Sequence, residues 1–182
     1  MIDIIINGIA NQGKDTYVKL FSENNYRVSN ISSVDPFRDI PKKWGWDGEK
    51  NEKYRICLVN LKKIAVEFND YPTKYLLEQR LKIMNSSLDN IIFYHIREIE
   101  EIEKLKKELL KVNNDVITLL VKSNKLQTVE EGIDKNNFNE KYYDVIIYND
   151  FDLDYLKSMA TLEYIFKRKE VEKYIDNIIA NH

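Results

Sequence analysis

Apolar positions along the chain fall into two alternating kinds of run. The first kind is short, rich in β-branched residues and unbroken by polar positions. Asp3–Asn7 is such a run, ended by Gly8, and Tyr26–Ile31 is a weaker one, ended by Ser32, Ser33 and Asp35-Pro36. Asn90–Ile96, Val116–Val121 and Tyr143–Tyr148 repeat the pattern. Runs of this length that are apolar at successive positions predict strands buried on both faces, as in a parallel sheet.

The second kind recurs with the period of a helix. Lys14–Ser22 reads as a short helix. Tyr54, Cys57, Leu58, Leu61, Ile64, Ala65 and Phe68 then form a long stripe at i, i+3, i+4 and i+7, ended by Asn69-Asp70. Pro72 can open the next helix, whose stripe is Leu77, Leu81, Met84 and Leu88. Ile99, Ile102, Leu105 and Leu109 mark another, and the chain from Asp152 is helical around Leu156, Met159, Ala160, Ile165 and Phe166, then Tyr174, Ile175, Ile178 and Ile179. Pro36 to Gly48 is irregular, broken by Pro36, Pro41, Gly45 and Gly48, and Ser123–Tyr142 is polar without a clear period. Strands alternating with helices predict an α/β fold: a mostly parallel, five-stranded sheet with helices on both faces.

Composition narrows the picture. A chain of 182 residues suits one α/β domain with a small inserted lid. A net charge of −2 argues against a surface that coats nucleic acid, and the alternating charges of Glu98–Lys111 read as a solvated helix face. Cys57 is the sole cysteine, so neither an internal disulfide nor a zinc cluster is expected; it reads as a core thiol. The run Ile4–Ile6 is too short for a signal or a membrane span. The expectation is a cytoplasmic protein with no nucleic-acid or membrane partner, with a homodimer left open.

The first strand leads into the one motif of high specificity. Gly8-Ile9-Ala10-Asn11-Gln12-Gly13-Lys14-Asp15-Thr16 follows the pattern G-x-x-x-x-G-K-[ST], with Asp15 in the hydroxyl position. The two glycines let the backbone curl so that successive N–H groups face one anion, and the helix that follows adds its positive end. Lys14 sets a cation against the β- and γ-phosphates of a nucleotide. Gly8, Asn11, Gln12, Gly13, Lys14, Asp15 and Thr16 are therefore the candidate nucleotide-binding residues. Asp15 can reach Mg²⁺ directly, reach it through water, or only cap the helix; the sequence leaves these open.

Gly-Lys-Asp-Thr in place of Gly-Lys-Ser/Thr resembles the phage-type deoxynucleoside monophosphate kinases and the related P-loop phosphomevalonate kinases, within the adenylate-kinase-like P-loop kinases. Other pieces are similar to that group: Val34-Asp35-Pro36, Gly45-Trp46-Asp47-Gly48-Glu49-Lys50, Arg97 followed by Glu98 and Glu101 at the end of the third strand, and Tyr143-Asp144-Val145-Ile146-Ile147-Tyr148-Asn149-Asp150. The resemblance implies a three-layer α/β/α sandwich over residues 1–182, with ATP and Mg²⁺ as donor, a helical acceptor-binding insertion at about 35–88 and a lid at about 123–142. His95 stands where the group has a strand-end Asp, and the lid offers Lys122 and Lys125 where the group has arginines.

Phosphoryl transfer needs positioning and positive charge. Lys14 and Arg97 are the candidate catalytic cations, although Arg97 can equally pair with Glu98 or Glu101. Asp15 and Glu98 are the candidate metal residues. Asp35, Arg38, Trp46 and Arg55 are the candidate acceptor residues: Arg55 is a cation in the first turns of a helix, against the dipole, and Trp44 or Trp46 can stack on a base or anchor packing. Asp35 and Asp70 also suit turns and caps. Arg80 reads as a solvated helix flank and His95 as a satisfied core residue. The expected activity is ATP-dependent phosphoryl transfer to a nucleoside or deoxynucleoside monophosphate. The alternatives are transfer to another small phosphorylated metabolite and a nucleotide-binding module with little transfer.

Overall fold

A computed structural model describes residues 1–9, 12–49, 51–86, 90–123, 138–150 and 152–180. Its centre is a five-stranded sheet in the order β2-β3-β1-β4-β5. The strands are β1 (Ile2–Gly8), β2 (Arg27–Ser32), β3 (Asn90–His95), β4 (Val116–Lys122) and β5 (Val145–Tyr148). Every pairing is parallel. The five apolar runs are thus the five strands, with bounds shifted by one or two residues. Tyr143 and Asp144 precede β5 and fasten it by side chain and backbone: the Asp144 N–H donates to Thr118 O at 2.9 Å, and its carboxylate accepts from the Thr118 N–H at 2.8 Å.

The helices are α1 (Lys14–Glu23), α2 (Asp39–Lys43), α3 (Glu52–Asn69), α4 (Tyr71–Ser86), α5 (Ile99–Leu109), α6 (Leu153–Met159) and α7 (Leu162–Ala180). Successive strand residues serve opposite layers. Ile4 and Ile6 of β1, with Phe93, Leu119 and Ile147, pack against Tyr17 and Phe21 of α1, Leu156 of α6 and Ile165 of α7. Ile5, Ile92, Tyr94 and Leu120 face Leu76 of α4 and Ile102, Leu105 and Leu109 of α5. A fully buried side chain of this size contributes about 1.5–3 kcal/mol, so these two layers dominate the stability of the fold. A third, smaller cluster of Phe37, Tyr54 and Leu58 holds α3 to the segment after β2.

Four expectations change between β2 and β3. The stretch read as irregular contains a 3-10 turn at Asp35–Phe37 and the short α2, with Pro41 buried inside it. The stripe of α3 is covered only in part: Tyr54 and Leu58 are buried, Cys57 is half-buried, and Ile64 and Phe68 are exposed. The stripe of α4 lies on another face, because Leu76, Thr73 and Arg80 are buried while Leu81 and Met84 are exposed. Arg80 is not solvated. Its guanidinium reaches the fully buried Asp3 of β1, with Nε 3.1 and 3.0 Å from the two carboxylate oxygens. Tyr94 Oη donates to the same carboxylate at 2.6 Å and Asn113 Nδ2 at 2.7 Å. A partner 77 residues away turns a charged flank inward.

Of the lid stretch, 124–137, with Lys125, lies outside the described residues; its end forms a 3-10 turn at Glu140–Tyr142. Among the described residues no helix is long and apolar enough to cross a membrane.

Candidate phosphate-binding site

β1 ends at Gly8 and α1 begins at Lys14, so the glycine-rich segment bridges a strand end and a helix start at the carboxyl edge of the sheet. Ligand sites of parallel sheets form at that edge. Gly13 caps α1 in the left-handed conformation, with φ 91° and ψ 9°, which glycine alone adopts without strain. A Cβ on Gly13 would lie 2.1 Å from Asn149 Nδ2, and one on Gly8 would lie 2.7 Å from the Val121 carbonyl oxygen. Gly8 is therefore required by its packing on backbone and Gly13 by its left-handed conformation, both independent of any ligand. The Gln12 N–H donates to Ile9 O at 3.2 Å and the Tyr17 N–H to Gly13 O at 2.8 Å, which closes the turn and opens the helix. Its N-cap, Gly13, has no side chain with which to cap α1. The first-turn amides of a helix have no acceptor within it and carry its positive dipole end, which is the chemistry of an anion site. Ala10 and Asn11 lie outside the described residues.

Three polar side chains brace this turn. Gln12 is buried, with Oε1 accepting from the Ser123 N–H at 3.0 Å and Nε2 3.4 Å from Ser123 O. Asn7 accepts from the Gly8 N–H at 2.8 Å, and its Nδ2 lies 2.9 Å from Arg97 O and 2.7 Å from Tyr143 Oη. Asn149 Nδ2 donates to Gln12 O at 3.0 Å. In the sequence Asn7 and Tyr143 fall within the apolar runs that predict strands, and Asn149 falls just after one. The available signal was a polar carboxamide at the carboxyl end of an apolar strand, twice over.

Lys14 extends from the helix start to the neighbouring strand. Its Nζ lies 2.6 Å from Nδ1 of His95 and also pairs with Asp15. Burial lowers its pKa, Asp15 opposes that, and the nearby charges of Arg97 and Arg38 lower it further. His95 is the half-buried last residue of β3, and the register sets it beside Ile6, two residues before Gly8. An ammonium only donates, so Nδ1 accepts; Nε2 then carries the proton and donates to Asn30 Oδ1 at 3.0 Å. Burial first, and the Lys14 charge next, hold the His95 pKa down to about 4, so the ring is neutral near pH 7.

The remaining candidates separate into two groups. Arg38 and Arg97 act electrostatically on Lys14 and so belong to the same edge. Asp35 aims Arg38: one carboxylate oxygen accepts from the Ser32 N–H at 2.7 Å, the other from Arg38 Nε at 2.8 Å. Asp15 and Thr16 are exposed on the first turn of α1. Glu98, at the N-cap of α5, is ion-paired with Lys62 of α3, which is only 4% exposed and also lies 3.2 Å from Glu101. Lys122 pairs with Glu140 and stands 5.0 Å over the Tyr148 ring.

Trp46 and Arg55 form the second group, on the insertion. The Trp46 ring stacks on Tyr54 at 3.9 Å and 1°, with Nε1 donating to Glu49 O at 2.7 Å, while Trp44 is exposed. Arg55 lies 4.0 Å from Glu52, which offsets the unfavourable helix dipole. Asp70 ends α3 in the left-handed region and accepts from Thr73 Oγ1 at 3.0 Å, with Lys104 2.8 Å away. Among the described residues no three His, Cys, Asp or Glu side chains are grouped to hold a metal.

No protein-family profile matches the chain, and no curated protein does. Solved structures do. An APS kinase of Mycobacterium tuberculosis superposes with a TM-score of 0.50 at 10% identity, covering 86% of this chain and 92% of that one. A shikimate kinase of Aquifex aeolicus gives 0.41 at 15% identity with both chains fully covered, and a gluconokinase of Sinorhizobium meliloti gives 0.45 at 10%, covering 95% of this chain and 96% of that one. At these identities the likeness is one of fold alone, and it is carried by the superposition on the APS kinase.

Proposed function

We propose that this protein is an ATP-dependent phosphotransferase whose acceptor is a nucleoside or deoxynucleoside monophosphate. The observation that carries the reading is the uncapped start of α1 behind left-handed Gly13, with Lys14, Arg38 and Arg97 gathered on the same edge. Such an edge supplies both things that phosphoryl transfer asks of a protein, a fixed set of donors and positive charge where the transferred group gains negative charge.

In this reading the amides of the loop and the first turn hold the β- and γ-phosphates. Lys14 leaves His95 for a phosphate oxygen, a stronger acceptor because it is charged. Arg97 stabilises the transferring group, and Arg38, held by Asp35, meets the phosphate of the acceptor. As the bond from the γ-phosphorus to its bridging oxygen breaks, a bond forms to an oxygen of the acceptor phosphate, and ADP leaves. Mg²⁺ would neutralise charge across the phosphates. It takes most of its ligands from phosphate and water, so a single exposed carboxylate, Asp15, suits it. Glu98 would first have to release the buried Lys62.

A second reading, nucleotide binding with little transfer, is favoured by one observation: Lys122 is already engaged by Glu140 and the Tyr148 ring. ADP release from ATP and Mg²⁺, measured against ribo- and deoxynucleoside monophosphates and small phosphorylated metabolites, separates the readings. Turnover with one monophosphate, lost in Lys14→Ala, supports the first. Turnover only with a metabolite replaces the acceptor. ATP binding without turnover favours the second.

A further inference from the structure

We propose that Asn149 is a positioning residue that fixes the orientation of the Gln12–Gly13 peptide and so aims the Gly13 N–H at the bound phosphate. The inference rests on the reading of the loop as a phosphate site and assigns a part of that site to the residue that follows β5, at the far edge of the sheet.

Gln12 O can only accept, so the group of Asn149 that faces it at 3.0 Å is the amide nitrogen. A trans peptide is planar, with its C=O and N–H on opposite sides. Holding Gln12 O on Asn149 therefore turns the Gly13 N–H away from Asn149, which is the side proposed for the phosphate. The alternative orientation would present a carbonyl oxygen to an anion and repel it. Gly13 itself does not choose between the two, since glycine is permissive on both sides of the φ map.

The anchor is itself held. The Asn149 N–H donates to Lys122 O at 2.8 Å, which continues the ladder between β4 and β5 by one residue. Its carboxamide fills the space where a Cβ of Gly13 would lie, 2.1 Å from Nδ2. The motif glycine and Asn149 are thus complementary, the missing side chain of one being the room occupied by the other. The sequence separates them by 136 residues, and parallel strand order brings them together.

The test uses the full chain labelled with ¹³C-glutamine and ¹⁵N-glycine, which selects the one Gln-Gly step in the sequence and so the Gly13 amide alone. In the wild type, ADP with Mg²⁺ is expected to shift that amide strongly. Asn149→Leu keeps the shape without the donor or a new charge. It is expected to weaken ATP binding at least tenfold and to abolish most of the Gly13 shift, with the melting temperature little changed. Asn149→Ala, which cannot clash, covers the case in which the leucine variant does not fold, and the same tenfold loss is expected. Variants that bind ATP as the wild type does, or that lose affinity while Gly13 still shifts fully, overturn the proposal. A wild type that does not bind ATP overturns instead the phosphate reading beneath it.

Discussion

The Lys14 ammonium lies 2.6 Å from Nδ1 of His95, so the cation of the phosphate loop is docked on the end of the neighbouring strand. Burial already disfavours its charge there. A phosphate offers it a charged acceptor, and a charge-assisted hydrogen bond of that kind contributes about 2–3 kcal/mol. Lys14→Ala is expected to weaken ATP binding roughly 30- to 150-fold, the equivalent of that energy, while the protein melts at or above the wild-type temperature. Calorimetric titration with ATP beside a thermal melt checks both.

Two left-handed glycines predict different costs. Gly45 has φ 87° with open space around the position of a Cβ, whereas Gly13 has φ 91° with Asn149 in the way. Gly45→Ala should cost only the backbone strain, about 1–2 kcal/mol. Gly13→Ala adds a steric overlap that must displace Asn149, for a total of about 3–4 kcal/mol. Urea unfolding of the two variants side by side measures the difference; equal losses would show that Asn149 moves aside freely.

Arg80 compensates a carboxylate with no exposure to solvent. Removing one partner of such a pair leaves a buried charge and costs about 3–5 kcal/mol. Arg80→Met is expected to lower the melting temperature by roughly 10 °C, at 2–4 °C per kcal/mol for a chain of this size. Asp3→Asn added to Arg80→Met should recover at least half of that loss, since no charge then remains.

Two half-buried groups give opposite pH dependence in one window. Burial raises Glu101 from 4.5 to about 7, so the folded protein holds a proton that the unfolded chain has released, and this contribution to stability is lost as pH rises from about 4.5 to 7. Burial and Lys14 lower His95 from 6.5 to about 4, so the unfolded chain takes the proton first, and that contribution is lost as pH falls from 6.5 to about 4. Each is worth roughly 3 kcal/mol at full extent, and between pH 4.5 and 6.5 they offset each other. Glu101→Gln should therefore make stability rise with pH across that window, and His95→Asn should make it fall. Melting curves at half-unit steps of pH report the two slopes.

The fold was legible because five β-branched runs and the intervening helical periods are local signals, and parallel strands buried on both faces leave an unbroken apolar run. The loop was legible because its glycines answer to steric demands that a short pattern captures. The misreadings share one cause. Arg80 is buried because of Asp3, and His95 meets Lys14 because β3 lies beside β1; both facts depend on strand order rather than on any window of sequence. The stripe of α3 showed which residues are apolar but not that Ile64 and Phe68 would be left exposed.

The Asp3–Arg80 pair also defines what can be exchanged in this scaffold. Because α4 contributes Arg80 and Leu76 to the interior, it is a fixed part of the frame even though it belongs to the excursion between β2 and β3. The portable cassette is shorter, running from the Asp35 turn to the left-handed end of α3 at Asp70. A chimera that imports a foreign segment between those two joints leaves the sheet's electrostatic keystone intact. One cut further along, inside α4, would strand a carboxylate in the centre of the molecule.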